Sequence, residues 1–303
     1  MRTHLALVGP TASGKSALAL HAARTLGDVE IVSMDSMQVY RRLDIGTAKP
    51  TGADRKMVEH HLVDVAEPRE EWTVARFQSE ARAVVKAIEA RGHRALLVGG
   101  TGLYVQAVVD DLRFPGEDVE LRRELESWTA EPGGVAAAYA ELETRDPIAA
   151  ARIDPHNARR IVRALEVMRL TGRPFSTFGP GVSAFGPTAF PVSMAGIWLP
   201  RETLAHRIDA RVALMREQGL SDEVRAVAGD LSRTARQAIG YKELIEVKTE
   251  EQEDHAFATI ARRTRSFARR QRMWFRRDPR ITWLGAAENP CAVMPALLAL
   301  WGS

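Results

Sequence analysis

The chain has 303 residues, with 42 Lys and Arg against 39 Asp and Glu, for a formal charge of +3. A content of 45% hydrophobic and 27% charged residues excludes a disordered chain, a collagen-like chain and a coiled-coil rod. The length allows two domains at roughly 100–200 residues each. One cysteine, Cys291, excludes an intramolecular disulfide framework and a Cys-rich zinc site, and it fits a reducing cytoplasm. No apolar run approaches the ~20 residues needed to cross a bilayer, so no membrane association is expected. The apolar N-terminus, Met1 to Gly9, leads into a glycine loop and lacks the form of a signal peptide.

In chain order, the pattern predicts a buried strand at Leu5–Gly9, a Gly-rich turn and a helix over Gly14–Leu26. Strands follow at Glu30–Asp35 and His61–Val65, then a helix at Thr73–Arg91, a strand at Arg94–Gly99 and a helix at Gly102–Val109. Strands alternating with helices imply βαβ units and a parallel sheet. Near Phe114-Pro115-Gly116 the pattern becomes mostly helical, with segments at Glu120–Thr129, Val135–Thr144 and Asn157–Thr171. Residues 172–191, rich in Gly, Pro, Ser and Phe, read as loop. A strand returns at Val192–Leu199, followed by helices at Arg201–Gln218 and Asp222–Gly229, a long Arg-rich helix, a strand at Ile281–Leu284 and a helix at Pro290–Leu300. The predicted fold class is α/β: a P-loop NTPase-like parallel sheet core, residues 1–114 with 192–303, interrupted by a helical insertion domain, residues 115–191.

The charge is unevenly placed. Residues 262–280 read RRTRSFARRQRMWFRRDPR, in which nine of 19 residues are Arg and one is acidic. The rest of the chain, with 33 basic and 38 acidic residues, is at −5. Arg262, Arg265, Arg269, Arg272 and Arg276 recur at helical spacing and share one face. Ile260, Thr264, Phe267, Ala268, Gln271, Trp274 and Phe275 fall on roughly the opposite face. A solvated surface helix would need acidic partners, which this segment lacks unless the rest of the fold supplies them. An Arg stripe is the expected footprint of a phosphate or nucleic-acid contact.

Residues 9–16, GPTASGKS, satisfy G-x-x-x-x-G-K-[ST] between a predicted strand and a predicted helix. Gly9 and Gly14 permit a turn that aims backbone N–H groups inward, and the helix N-terminus adds a positive dipole end. Lys15 supplies a point charge, and the Ser16 hydroxyl is placed for Mg²⁺ or phosphate. A P-loop ATPase also wants a strand ending in an acid. Here the best buried strand ends in Gly99-Gly100-Thr101-Gly102, leaving Asp64 as a substitute on a short strand. That counts against plain triphosphate hydrolysis, and it puts Thr101 at the ligand-binding edge, facing the P-loop. Asp35, at the same edge, is a cap for the following turn, a general base or a Mg²⁺ ligand.

GPTASGKS, MDSMQVYRRLDIGTAKP (34–50), LLVGGTGLY (97–104), DPHNARRIVRALEV (154–167), LTGRP (170–174), RIDARVALMREQGL (207–220), RQAIGYKEL (236–244) and RTRSFARRQRMWFRR (263–277) together resemble the tRNA dimethylallyltransferases. That family is also called the tRNA isopentenyltransferases, and the resemblance spans about residues 5–280. It implies transfer of a dimethylallyl group from its diphosphate to the exocyclic amino nitrogen of the adenosine 3′ of the anticodon, with pyrophosphate released and Mg²⁺ as cofactor. Gly9, Pro10, Thr11, Ala12, Ser13, Gly14, Lys15 and Ser16 would then hold the diphosphate, with Ser16 on the metal. Arg207 and Arg211 offer a pyrophosphate clamp, with Arg211 preferred. Asp35, Thr101 and Lys15 carry the catalytic roles by resemblance: Asp35 accepts the amine proton, and Thr101 bonds either the pyrophosphate or the amine region.

The resemblance also assigns tRNA contacts. Asp35, Ser36, Met37, Gln38 and Thr101 meet the flipped adenine. Arg122, Arg159, Arg160, Ile161, Val162 and Arg163 serve from the insertion, and Gln237, Ala238, Ile239, Gly240, Tyr241 and Lys242 from the core. Arg265, Arg269 and Arg272 grip the stem phosphates. The partners implied are the tRNA anticodon stem-loop and dimethylallyl diphosphate. No long apolar stripe is left over, so a monomer is expected. With one Cys and no zinc-finger appendage, the chain looks like the bacterial form, and a cytoplasmic location is expected. His60 and His61, adjacent in a strand, read as structural or substrate-loop residues. The competing readings are an adenylate isopentenyltransferase acting on free nucleotide, a P-loop small-molecule kinase and an RNA-binding ATPase.

Overall fold

Leu5, Ala6, Leu7 and Val8 expose none of their surface. A strand that is apolar on both faces must be covered on both sides, which a parallel sheet between helices achieves. The computed structural model describes residues 3–110, 112–179 and 181–302. Met1, Arg2, Asp111, Pro180 and Ser303, which fall in the predicted core and loop spans, lie outside the described residues. The sheet contains β1 (His4–Val8), β2 (Val29–Ser33), β3 (His60–His61), β4 (Arg94–Gly99), β5 (Val192–Trp198) and β6 (Ile281–Gly285). Its order is β3-β2-β4-β1-β5-β6, and every ladder is parallel. Leu5 pairs with Leu96 on one side and Ser193 on the other, which centres β1.

The third strand is shorter than predicted. Leu62 and Asp64 adopt positive φ of 60° and 58°, so extended pairing stops at His61. His60 and His61 are structural here. His60 Nδ1 lies 2.8 Å from the Val58 carbonyl, and His61 Nε2 lies 2.6 Å from Glu30.

The helices in chain order are α1 (Lys15–Leu26), α2 (Gly52–Met57), α3 (Val74–Ala90), α4 (Gly102–Val109), α5 (Val119–Ala130), α6 (Gly134–Arg145), α7 (Pro147–Ala150) and α8 (Ala158–Thr171). After β5 come α9 (Arg201–Glu217), α10 (Leu220–Val227), α11 (Tyr241–Leu244), α12 (Glu250–Phe275) and α13 (Met294–Trp301). Their ends follow local chemistry. Thr73 caps α3 through Arg76 N–H, Asn157 caps α8 through Arg160 N–H, and Thr249 caps α12 through Gln252 N–H. α12 stops at Phe275, before the predicted end of the Arg-rich segment, because Pro279 disfavours helix at Asp278. Arg277 and Arg280 therefore lie beyond the helix.

The chain divides into a sheet unit, Met1–Asp111 with Phe185–Ser303, and a helical unit, Leu112–Ala184. The helical unit ends earlier than the predicted residue 191. The reason is that Ala189 N–H donates to Val109 at 2.8 Å and Gly186 accepts from Arg280 at 2.9 Å. Within the helical unit, Leu125, Ala138, Leu142, Ile161, Leu165 and Met168 form the core.

Glu166 is fully buried in the helical unit. It accepts from Asp118 N–H at 3.0 Å, from Arg122 Nη2 at 2.9 Å and from Arg163 Nη1 at 2.9 Å. Burial alone would raise its pKa, but Arg163, the Asp118 N–H and Arg122 hold it below the usual carboxylate range. Removing one member of a buried charge network leaves the others uncompensated. Glu166→Ala should therefore destabilise the helical unit by about 3–5 kcal/mol, seen as faster proteolysis within residues 112–184.

Candidate active site

Parallel strands deliver the loops that follow them to one edge of the sheet. β1 runs into residues 9–16, β2 into 34–38, β4 into 99–102, and β5 through Pro200 into α9, which carries Arg207 and Arg211. Thr101 N–H reaches the Met34 carbonyl at 3.4 Å, joining the second and third of these loops.

The phosphate loop is held by elements distant in sequence. Gly14 caps α1 at φ 83°, and a Cβ there would stand 2.4 Å from Pro290 Cγ, so this position requires glycine twice over. Arg207 Nε donates to the Ala12 carbonyl at 2.9 Å, and Arg211 Nη1 donates to the Thr11 hydroxyl at 3.3 Å. Lys15 Nζ donates to the Pro10 carbonyl at 3.2 Å. The Ser13 hydroxyl is buried with no hydrogen-bond partner among the described residues, and Ser16 is exposed on the first turn of α1. Burial and then Arg211 lower the Lys15 pKa to about 8, against an opposing pull from Asp35. Arg211 is itself lowered, by burial and then by Arg207. Three cations thus crowd one helix N-terminus, which is a site prepared for a polyanion.

Asp35 Oδ1 accepts from Met37 N–H at 2.9 Å, so the residue does cap its turn. Its Oδ2 has no donor among the described residues. Thr101 faces this turn, with its hydroxyl accepting from Ser36 N–H at 3.2 Å. The Gln38 amide is engaged with the Ser33 hydroxyl at 2.8 Å and the Thr47 carbonyl at 3.1 Å. Asp64 is no metal-binding substitute. Its carboxylate pairs with Lys49 at 2.6 Å and Arg55 at 2.7 Å, which hold its pKa down against burial.

Helix α12 packs against both loops. Gln271 Oε1 accepts from Thr11 N–H at 2.7 Å, and Gln271 Nε2 donates to the Gly100 carbonyl at 3.0 Å. Trp274 lies where a Gly102 Cβ would be, 2.2 Å from its Cδ1. One member of the Arg stripe, Arg265, pairs with Asp209, and Arg263 beside the stripe pairs with Glu243. Arg280 pairs with Asp110 and Asp278, at 2.6 and 2.7 Å. Arg269 and Arg276 are exposed and have no ion pair among the described residues. Arg272 lies 3.7 Å above Trp198, and burial followed by Arg201 and Arg276 lowers its pKa.

The chain matches the family model described as IPP transferase over residues 38–278, and that described as isopentenyl transferase over residues 1–69. It is 50% identical over 296 residues to a tRNA dimethylallyltransferase of Kineococcus radiotolerans, covering 94% of this chain and 91% of that one. The chain belongs to the IPP transferase family. Its structure is similar to the tRNA isopentenylpyrophosphate transferase of Bacillus halodurans, with TM-score 0.70, 37% identity, and 100% and 97% of the two chains covered. It is also similar to a eukaryotic dimethylallyltransferase solved acting on tRNA, with TM-score 0.80, 27% identity, and 95% and 75% covered.

Within this IPP transferase, Lys15, Ser16, Asp35, Thr101, Arg207 and Arg211 gather at one sheet edge. Several residues assigned by resemblance to tRNA have buried side chains. Ile161 and Val162 lie in the helical core, and Ala238 and Tyr241 in the sheet-unit core, because each falls on the buried side of its element. Gly240 is buried as well, while Ile239 is half-buried. Arg122 and Arg163 are committed to Glu166. Arg159, Arg160, Gln237 and Lys242 are exposed. Sequence reasoning missed Gln271 and Pro290 as parts of the site. The signal for Gln271 was a polar amide on a mostly apolar helix face.

The lowered Lys15 pKa makes anion binding pH-dependent. A bound diphosphate favours the ammonium form, so above pH 8 binding takes up a proton and weakens as pH rises. Between pH 7.5 and 9.5 the affinity for inorganic pyrophosphate should fall roughly tenfold in the wild type relative to Lys15→Met, measured by titration calorimetry.

Proposed function

We propose that the chain transfers the dimethylallyl group of dimethylallyl diphosphate to the exocyclic amino nitrogen of the adenosine 3′ of the anticodon in tRNA, releasing pyrophosphate. The observation that carries this reading is the gathering of Lys15, Arg211 and the α1 N-terminus at one sheet edge, with Asp35, just past the end of β2, close enough to act on Lys15. In the transfer, a bond forms between the amino nitrogen and the allylic carbon while the bond from that carbon to the diphosphate oxygen breaks. Negative charge grows on the leaving pyrophosphate. Lys15, Arg211 and the loop N–H groups sit where that charge develops and stabilise it. Arg207 holds the Ala12 carbonyl and keeps the loop in shape.

An exocyclic amine is a weak nucleophile because its lone pair is delocalised into the ring. Asp35 accepts the amine proton through the oxygen left free by the Met37 N–H, and Thr101 fixes the Asp35–Ser36 turn in place. Ser36, Met37 and Gln38 line the adenine pocket. Arg159, Arg160, Gln237, Lys242, Arg269 and Arg272 meet the tRNA backbone, setting position more than sequence.

The donor set suits Mg²⁺ as a companion of the diphosphate. Ser16 offers one exposed hydroxyl, and no cluster of three or more His, Cys, Asp or Glu among the described residues could hold a metal ion. A hard cation that keeps its waters and binds phosphate oxygens asks for little more from the protein. Ser16 would hold it, and its charge would offset that of the diphosphate. We place the reaction in the cytoplasm, with the chain acting as a monomer. No helix among the described residues is long and apolar enough to cross a membrane.

Incubation with dimethylallyl diphosphate and either unmodified tRNA or free AMP tests the reading. Product on tRNA is expected, and product on AMP alone would overturn it. Asp35→Ala should lose ~10²-fold or more in turnover while keeping tRNA affinity. Near-normal turnover would remove Asp35 from the mechanism.

A further inference from the structure

Gln271 stands on α12 with 6% of its surface exposed. Its carboxamide is used at both ends, accepting from Thr11 N–H at 2.7 Å and donating to the Gly100 carbonyl at 3.0 Å. One partner belongs to the phosphate loop. The other belongs to the turn that carries Thr101. A Cβ at Gly100 would stand 2.2 Å from Gln271 Nε2, so that turn is shaped around the amide. One helical turn later, Trp274 closes on Gly102 in the same way. The same helix presents Arg269 and Arg272 on its other faces.

We propose that Gln271 is a positioning residue that locks the diphosphate loop and the Thr101 turn in register, and with them the allylic carbon and the acceptor amine. The inference rests on the reading of the chain as a tRNA dimethylallyltransferase and names a residue that sets its geometry. The bridge needs a donor and an acceptor on one planar, uncharged group. Glu supplies only acceptors, and Met supplies neither a comparable donor nor acceptor. While the bridge stands, Thr11 N–H is committed to Gln271. The diphosphate then rests on the later loop N–H groups, the α1 N-terminus and Lys15. Loss of Gln271 leaves those phosphate contacts intact and loosens the distance between the two reacting partners. Small misplacements of that kind act on turnover more than on binding.

The test is steady-state transfer to unmodified tRNA by wild type, Gln271→Met and Gln271→Glu, with tRNA affinity and thermal midpoint measured beside it. Gln271→Met should lower kcat by ~10- to 100-fold, with KM for dimethylallyl diphosphate within about threefold and tRNA affinity within about twofold of wild type. Gln271→Glu sets a carboxylate beside the diphosphate and should raise that KM at least about tenfold. A Gln271→Met enzyme within about twofold of wild-type kcat overturns the proposal. If Gln271→Met does not fold, Gln271→Glu decides, and wild-type KM and kcat in that variant overturn it. A wild type that makes no product on tRNA overturns instead the functional reading beneath it, and this inference with it.

Discussion

A loop of backbone N–H groups can favour a bound phosphate only if its shape is fixed before the phosphate arrives. Otherwise the ordering of the loop opposes binding. Here the 9–16 loop is fixed by elements distant in sequence. Pro290 occupies the space a side chain at Gly14 would need, Arg207 holds the Ala12 carbonyl, and Gln271 holds Thr11 N–H. Each contact acts on backbone, so none depends on the identity of the Thr11 or Ala12 side chain. The central position of β1 lets all three reach one loop, since β4 lies on one side of it and β5 on the other.

The same constraint explains how charge is distributed. The Arg-rich segment, at +8 with its own Asp278 counted, against a body at −5, is partly neutralised by Glu243, Asp209 and Asp110. Of these, the Arg265–Asp209 pair is exposed at both ends and contributes little to stability, whereas the carboxylates of Glu243 and Asp110 are largely buried. Arg272 differs. It lies over Trp198 with Arg201 and Arg276 as neighbours. A weakly hydrated, planar guanidinium tolerates that position, and a lysine would not. Like charges held together without acids are stabilised when a polyanion binds.

The phosphate loop was legible in the sequence because its chemistry is local: eight consecutive residues specify turn, dipole and cation. The strands were legible for the same reason, apart from β3, where positive φ at Leu62 and Asp64 cut the pairing short. Partners far along the chain were not legible. Gln271 meets residues 171 and 260 positions away, and the acids that pair with Arg265 and Arg263 are 56 and 20 positions away. Resemblance carried contiguous runs such as 159–163 whole. A helix buries some residues of any such run, so Ile161 and Val162 fell into the core while Arg159 and Arg160 stayed outside. Asp64 looked like a metal ligand from its place after an apolar pair. The lysine and arginine that claim it, Lys49 and Arg55, come from the segment before β3.

The most direct test of this account is a structure of the chain crystallised with inorganic pyrophosphate. The account predicts the anion at the N-terminus of α1, Lys15 turned from the Pro10 carbonyl onto a phosphate oxygen, and Gln271 still bridging Thr11 and Gly100. Pyrophosphate bound elsewhere, with Lys15 still on Pro10, would contradict it.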